Sequence, residues 1–541
     1  MFPNVKYEKT NAEKLTAIDV SLSFFVEEEL YTKASELIAL FLPRYKFTKG
    51  GEDAYITAKK SAALADAPEG YTLKVKNGKT AIEYSTYAGL RNALATFSLI
   101  VKERDGKLLV ADTEIEDSPE ISYRGMMLDL ARGVMPIERL FEDMVLIAKS
   151  KHNVLHLHLA DSKGVAIEMD CLPKEYRIAN YYTKEKVAEL VRFADVLGLE
   201  LIPEFDMPAH STQLNTLFPE LACEIEGEDK CLWTVCAGTE AVYELYGKII
   251  AEMVSLFPGG RYFHMGGDEL EFLDFKKPII CHWDECVKCR KKMEEEGLAD
   301  KQDLYYYFAN RINEIVKANG RQMVMWSDQL DCTRPAGFSM DILMQFWRVA
   351  GRGRGPRDGC SFEGQLNYGY MAINSYYPNT YIDIEQYLNA ENLAKWRWDE
   401  IPEVSEAHKS QIVGGEICAW EYGNRNSYTY YDHSLPSAIV LTGDKLWNGL
   451  KKEYGREEEI AVTRAVLGAA VPEGFNVFDA IGDIYPPRSA EKPCYLEKVS
   501  IGKGEIERII DVLSDASLFD GGDKSRSEVY KRCAEFALEN V

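Results

Sequence analysis

Nowhere in the 541 residues is there an apolar run approaching the roughly 20 that a membrane-spanning helix needs, so no transmembrane segment is expected. Positive charge is also scarce. Lys and Arg number 63 against 87 Asp and Glu, a formal net charge of −24, and such a surface repels phosphate backbones and anionic lipid. Neither nucleic acid nor a membrane is therefore an expected partner. The first residues, MFPNVKYEKTNAEKL, lack the basic start and apolar core of a secretory signal, which points to the cytoplasm. Several reaction signatures are missing too: no G-x-S-x-G elbow, no H-E-x-x-H pair and no G-x-x-x-x-G-K-[ST] loop. GRGRGPRDG at 351–359 is glycine-rich but opens no helix of a βαβ unit, and it reads as a basic loop rather than a nucleotide site. No cofactor is called for. Solenoid repeats and low-complexity tracts are absent.

Cysteine is not scarce, at 12 residues, but a chain of this size with 46% hydrophobic residues can bury a core without disulfides. Most are expected to be free thiols. The exception is the group Cys281, His282, Cys286 and Cys289, with Cys223, Cys231 and Cys236 upstream. Cys286 and Cys289 have zinc-knuckle spacing, yet the second C-x2-C pair that a zinc site ordinarily shows is missing. Cys281, Cys286 and Cys289 stand as zinc candidates, with thiols of a long loop and no metal as the favoured reading.

From about residue 120 the chain alternates short apolar runs with amphipathic helical stretches. The runs are 123–131, 154–161, 199–206, 261–269, 322–328, 341–348, 369–377 and 412–421. Clear helical stretches fall at 137–151, 184–198, 240–257 and 303–320, and the fifth and sixth runs are joined without one. Near-continuous apolar strands alternating with helices specify a parallel sheet covered on its outside, and eight of them suggest an α/β fold of the (β/α)8 barrel type. A doubly wound open sheet is the competing architecture. The strand ends favour the barrel, because each carries polar or aromatic groups where barrel enzymes keep their chemistry. Residues 1–118 read as a small α/β domain, 119–450 as the barrel, and 451–541 as a mainly helical extension suited to packing on the barrel or to a homo-oligomer contact.

The fourth run, RYFHMGGDE, breaks at Gly266-Gly267 and releases two adjacent acids, Asp268 and Glu269. Cleaving a glycosidic bond needs a proton donor and a second group that stabilises positive charge at the anomeric carbon, which such a pair could provide. In isolation the dipeptide reads more readily as a solvated turn. Trp326, Trp347 and Trp420 at three strand ends add to the sugar reading, since indole packs on the apolar face of a pyranose and is a poor filler for barrel layers of Val, Ile and Leu.

YRGMMLDLAR, KHNVLHLHLAD, LIPEFDMPAHS, HMGGDE, MVMWSD, QFWR and the YID of residues 381–383 resemble, in order and spacing, the family 20 glycoside hydrolases, the β-N-acetylhexosaminidases. The stretch from YTLKV to ATFSLIV is similar to the small domain that precedes the barrel in that family. The resemblance implies an exo-acting enzyme that removes terminal N-acetylglucosamine or N-acetylgalactosamine, a small carbohydrate partner, from a glycan. It also implies a retaining mechanism in which the substrate's own acetamide is the nucleophile. Glu269 is then the general acid and base, and Asp268 orients the acetamide. Tyr381 binds the acetamide oxygen, Trp326, Trp347 and Trp420 line the pocket, and Arg132, Asp383 and Glu421 bind hydroxyl groups. Asp161, Asp206, His210 and His264 support the acids, while His156 and His158, on one face of a strand, are expected to be structural.

Two positions depart from the family's pattern. Val165 stands where many members have Trp, and Glu421 follows Trp420 directly instead of after one residue, with Glu416 a less favoured substitute. Both leave the choice between glucosamine and galactosamine open. Competing functions are a related exo-glycosidase that releases a disaccharide or a sulfated amino sugar, and a catalytically silent sugar-binding barrel.

Overall fold

The structure, a computed structural model, describes residues 5–449 apart from 105–106, 226–230, 271, 274–277, 280, 349–359, 383–392, 394–395 and 423–427. The helical extension expected at 451–541, the loop at 351–359 and Asp383 lie outside the described residues. No described helix is long and apolar enough to cross a membrane.

Eight parallel strands close on themselves: β1 (Tyr123–Asp129), β2 (Val154–Asp161), β3 (Glu200–Phe205), β4 (Tyr262–His264), β5 (Gln322–Trp326), β6 (Leu343–Phe346), β7 (Ala372–Asn374) and β8 (Ile412–Ala419). Closure is made by β8 against β1, from Gly414 opposite Tyr123 to Ala419 opposite Leu128. All eight runs read from the sequence are strands of this barrel. β1 and β2 are buried at every position, because one face fills the barrel and the other is covered by helices.

The outer helices include α1 (Ile137–Lys149), α2 (Lys184–Leu197), α3 (Glu240–Leu256), α4 (Val287–Glu296), α5 (Lys301–Ala318) and α6 (Tyr428–Asn448). α1 buries Ile137, Leu140, Met144 and Ile147, the three-to-four spacing of a one-sided helix. α2 begins where the Thr183 hydroxyl accepts the Lys186 N–H and stops at Gly198 in the left-handed region. α5 begins where the Asp300 carboxylate accepts two backbone N–H groups. Between β5 and β6 no helix intervenes.

Residues 7–117 form an eight-stranded mixed sheet with helices Glu28–Phe41 and Tyr87–Ile100. The second helix is buried almost throughout because it packs on the sheet and also against α1. Polar groups also join this unit to the barrel. The Lys151 ammonium lies 2.6 Å from Asp117, which also accepts the Trp447 indole N–H, and the Arg91 guanidinium donates to the His152 carbonyl.

Candidate active site

The barrel fixes the height of each side chain along its axis. Within the interior, His156 and His158 project from β2 two residues apart, with Glu204 from β3 and Glu416 from β8. The Glu204 carboxylate lies 2.6 Å from His158 Nδ1, 3.1 Å from His156 Nε2 and 2.8 Å from the Trp326 indole nitrogen. The Glu416 carboxylate receives His156 Nδ1 at 2.9 Å, the Gln345 amide at 2.7 Å and the Tyr123 hydroxyl at 2.5 Å. Burial alone would raise the Glu204 carboxyl, but His158, His264 and His156 hold it well below the usual range. Burial would likewise lower the two histidines, yet Glu416 and Glu204 raise His156 to about 9, and Glu204 with Asp161 raises His158 to about 10. The structural role expected of these histidines agrees with this placement, and Glu416 belongs to the interior rather than to the rim.

One layer up, the strand ends converge. Arg132 follows β1 and places Nη2 2.7 Å from Asp161 and Nη1 3.1 Å from Asp129. His210 lies 3.1 Å from Asp161 and within 3.9 Å of Asp206, Asp268 and Glu269. Glycines at 266 and 267 are required here. Gly266 is left-handed at φ +70°, and a Cβ on it would sit 2.0 Å from the Asp206 carboxylate oxygen. That close approach lets Asp206 accept the Gly267 N–H at 3.3 Å and brings β3 and β4 together beneath the acids.

Glu269 adopts φ +52°, a conformation that costs a non-glycine residue about 1–3 kcal/mol. Two contacts hold it: the Trp233 indole N–H donates to its carbonyl at 3.0 Å, and its own N–H donates to Asp328 at 3.3 Å. The Arg348 guanidinium lies 3.5 Å from the Glu269 carboxylate and 3.3 Å from Asp328, and it stacks over Trp347. Asp268 is buried with one carboxylate oxygen unpartnered. Burial pushes it up to about 7, with Asp328 and Glu269 adding to the rise and His210 opposing it. Burial and the charges of Asp268, Glu204 and Asp161 also push Asp206 well above the usual range, while Arg132 lowers it.

Aromatic rings complete the wall. Tyr381 stacks on Trp347 with ring centroids 5.8 Å apart, and it lies 5.8 Å from Trp420. Trp420 sits 5.7 Å from Trp326 and under the Arg132 guanidinium. Trp326 is fully buried and anchored to Glu204, so it forms the floor, whereas Trp347 and Trp420 are half-buried at the rim. Glu421 follows at φ +56° with its N–H bonded to Asp129, and Val165 is a buried residue of a short strand paired with β2.

The structure thus brings together Asp268, Glu269, Arg132, Asp161, Asp206, His210, Trp326, Trp347, Tyr381 and Trp420. His264 lies in the interior layer, where it is 3.2 Å from Glu204 and burial lowers its pKa. Sequence reasoning missed Glu204, Asp129, Trp233 and Arg348. The period of a strand, two residues before Asp206, was a signal for Glu204. Trp233 carries no local signal, because only the fold brings its loop to Glu269.

The cysteine expectation needs correction. Cys286 and Cys289 cluster with Cys223 and Cys236 of the upstream group, and the candidate Cys281 is not among the four. The C-x2-C pair is completed across some 50 residues of sequence by α3 and β4 folding back, which linear spacing does not reveal. His282 pairs with Glu285, Cys332 and Cys360 form a disulfide, and the other described cysteines are in no disulfide.

Residues 121–449 match the model of the glycosyl hydrolase family 20 catalytic domain. The chain belongs to glycosyl hydrolase family 20. It is similar to a β-hexosaminidase of Porphyromonas gingivalis, 28% identical over 74% of this chain and 53% of that protein, and so spans about half of that relative's length. A β-hexosaminidase of Vibrio furnissii is 29% identical over 69% of this chain and 65% of its own. In fold the chain resembles the β-N-acetylhexosaminidase of Bacteroides fragilis, with a TM-score of 0.69 and 21% identity over 85% of this chain and 92% of that one.

Proposed function

We propose that this family 20 chain is an exo-β-N-acetylhexosaminidase that removes a terminal N-acetyl-β-glucosamine or N-acetyl-β-galactosamine with retention of configuration. The observation that carries the reading is the unlike surroundings of two neighbouring acids. Asp268 is buried, crowded by carboxylates and short of one partner, whereas Glu269 is turned by its backbone toward Arg348 and the rim. Its similarity to the Porphyromonas and Vibrio β-hexosaminidases supports the substrate class.

In this mechanism the acetamide oxygen of the substrate attacks the anomeric carbon as the glycosidic bond breaks, giving an oxazolinium ion. Glu269 gives its proton to the leaving oxygen and then, as carboxylate, takes one from the water that opens the ring. Asp268 accepts the acetamide N–H and offsets the positive charge of the ring, an interaction that strengthens in the transition state. Its raised affinity for protons is the cost of placing a carboxylate in a dry pocket. Tyr381 donates to the acetamide oxygen, and Trp347 and Trp420 face the sugar. Arg132, fixed by Asp129 and Asp161, binds hydroxyl groups.

The test compares aryl β-glycosides of N-acetylglucosamine, N-acetylgalactosamine and plain glucose. Fast release of either amino sugar, with no release from the glucoside, is expected. Equal turnover of the glucoside contradicts acetamide participation.

A further inference from the structure

We propose that Cys223, Cys236, Cys286 and Cys289 hold a structural zinc ion that clamps the loop after β3 to the loop after β4. All four thiols are buried, and their sulfur atoms lie within 4.8 Å of one another. Three of the separations are 3.5 Å for Cys236–Cys289, 3.6 Å for Cys236–Cys286 and 3.8 Å for Cys223–Cys289. Thiolates bound tetrahedrally to zinc at about 2.3 Å stand about 3.8 Å apart, so the cluster has the dimensions of a closed four-sulfur site. Four thiols gathered in an apolar interior without a shared partner offer each other only weak hydrogen bonds, whereas a divalent soft cation satisfies all of them.

The local structure is that of a metal knuckle. Cys286 is the residue immediately before α4 and Cys289 lies in its first turn, so the positive end of the helix faces the sulfur cluster. On the other side, Cys223 ends one strand of a two-stranded ribbon and Cys236 follows the other, Cys231–Val235. The two sides pack backbone to backbone: a Cβ on Gly238 would fall 2.3 Å from the Lys288 carbonyl. Trp283 ties them again by donating to the Val235 carbonyl at 2.9 Å. Four sulfur ligands leave no open coordination position, which fits a structural ion and not a Lewis acid.

The ribbon also carries Trp233, whose ring lies 4.4 Å from His210 and whose N–H holds the Glu269 carbonyl. Zinc is therefore a positioning element for the acid, acting through Trp233 and touching neither substrate nor reacting atoms.

Metal content measures the site without reference to activity. The full chain, purified under reducing conditions without added metal or a polyhistidine tag, is analysed by inductively coupled plasma mass spectrometry. About one zinc per chain is expected, released when a mercurial reagent titrates the thiols. Cobalt in its place gives the intense visible absorption of tetrahedral thiolate coordination. The Cys286→Ser, Cys289→Ser double variant loses the zinc, and Cys231→Ser, whose thiol lies by Thr234, keeps it. If the double variant fails to fold, chelator titration of the unaltered chain serves instead, with Tm falling on zinc removal and recovering on its return. A metal-free reduced chain, stoichiometric iron, or disulfides among these four cysteines overturns the proposal.

Discussion

Two layers of the same barrel bury carboxylates, and they treat them in opposite ways. In the interior, all four carboxylate oxygens of Glu204 and Glu416 meet nitrogen or hydroxyl groups, and both acids are held below their usual range. At the mouth, Arg132, His210 and His158 hold Asp161 well below its usual range, but one oxygen each of Asp268 and Asp328 lacks a partner, and Asp206 and Asp268 are pushed upward. Matched charge makes a scaffold, while unmatched charge is stored for a ligand that brings its own donor and its own positive charge. The interior therefore governs stability and the mouth governs turnover.

That division sets the expected size of each perturbation. If Glu269 is the proton donor, as proposed, Glu269→Gln should lower kcat on an unactivated glycoside by about 10²–10⁴ with the fold intact by circular dichroism. On the proposed mechanism Asp268→Asn removes the charge that steers the acetamide and should lower kcat by about 10²–10³. Glu204→Gln lies outside the reacting layer but breaks the histidine pairs, so urea unfolding should report a loss of about 3–5 kcal/mol.

Proton linkage separates the layers further. His156 and His158 bind protons more tightly folded than unfolded, with folded values of about 9 and 10 against an ordinary value of about 6.5. Their stabilisation is thus complete below about pH 6.5 and is lost as pH rises through 9 to 10. Their partner carboxylates are lowered, so that stabilisation fades only in acid. Asp268 behaves oppositely to an ordinary paired carboxylate. With its folded value raised to about 7 from an ordinary value of 3.8, its cost to stability grows as pH rises from about 4 to about 7 and is complete above that. Asp268→Asn should accordingly raise Tm at pH 8 more than at pH 5, even as it impairs turnover. A uniform gain, or none, would break the contrast. The smallest effect is expected from Trp233→Phe, which removes one hydrogen bond to the Glu269 backbone worth about 0.5–1.5 kcal/mol and should lower kcat up to about tenfold with KM little changed.

Much of this was legible in the chain. The eight apolar runs marked eight strands because a barrel strand buried on both faces cannot avoid being apolar, and HMGGDE marked the acids because the close approach at Gly266 needs glycine. The interior network was half-visible, since His156 and His158 share a face by strand period while Glu204 and Glu416 meet them only through closure of the barrel. The reach of Trp233 to Glu269 was invisible, and the upstream cysteines were visible only as a group, because which of them meet Cys286 depends on α3 and β4 folding back.

The division of labour between Asp268 and Glu269 is tested most directly by a leaving-group series. Aryl N-acetyl-β-glucosaminides of decreasing leaving ability are assayed with the unaltered chain, Glu269→Gln and Asp268→Asn. A phenolate that departs easily needs no proton, so Glu269→Gln should keep most of its kcat/KM, which reports bond cleavage and not the later attack of water, on the best leaving group and lose progressively more down the series, whereas the kcat/KM of Asp268→Asn should be impaired on every member. An Asp268→Asn variant whose kcat/KM recovers with the good leaving group, or a Glu269→Gln variant whose kcat/KM is equally reduced on all of them, would contradict the assignment.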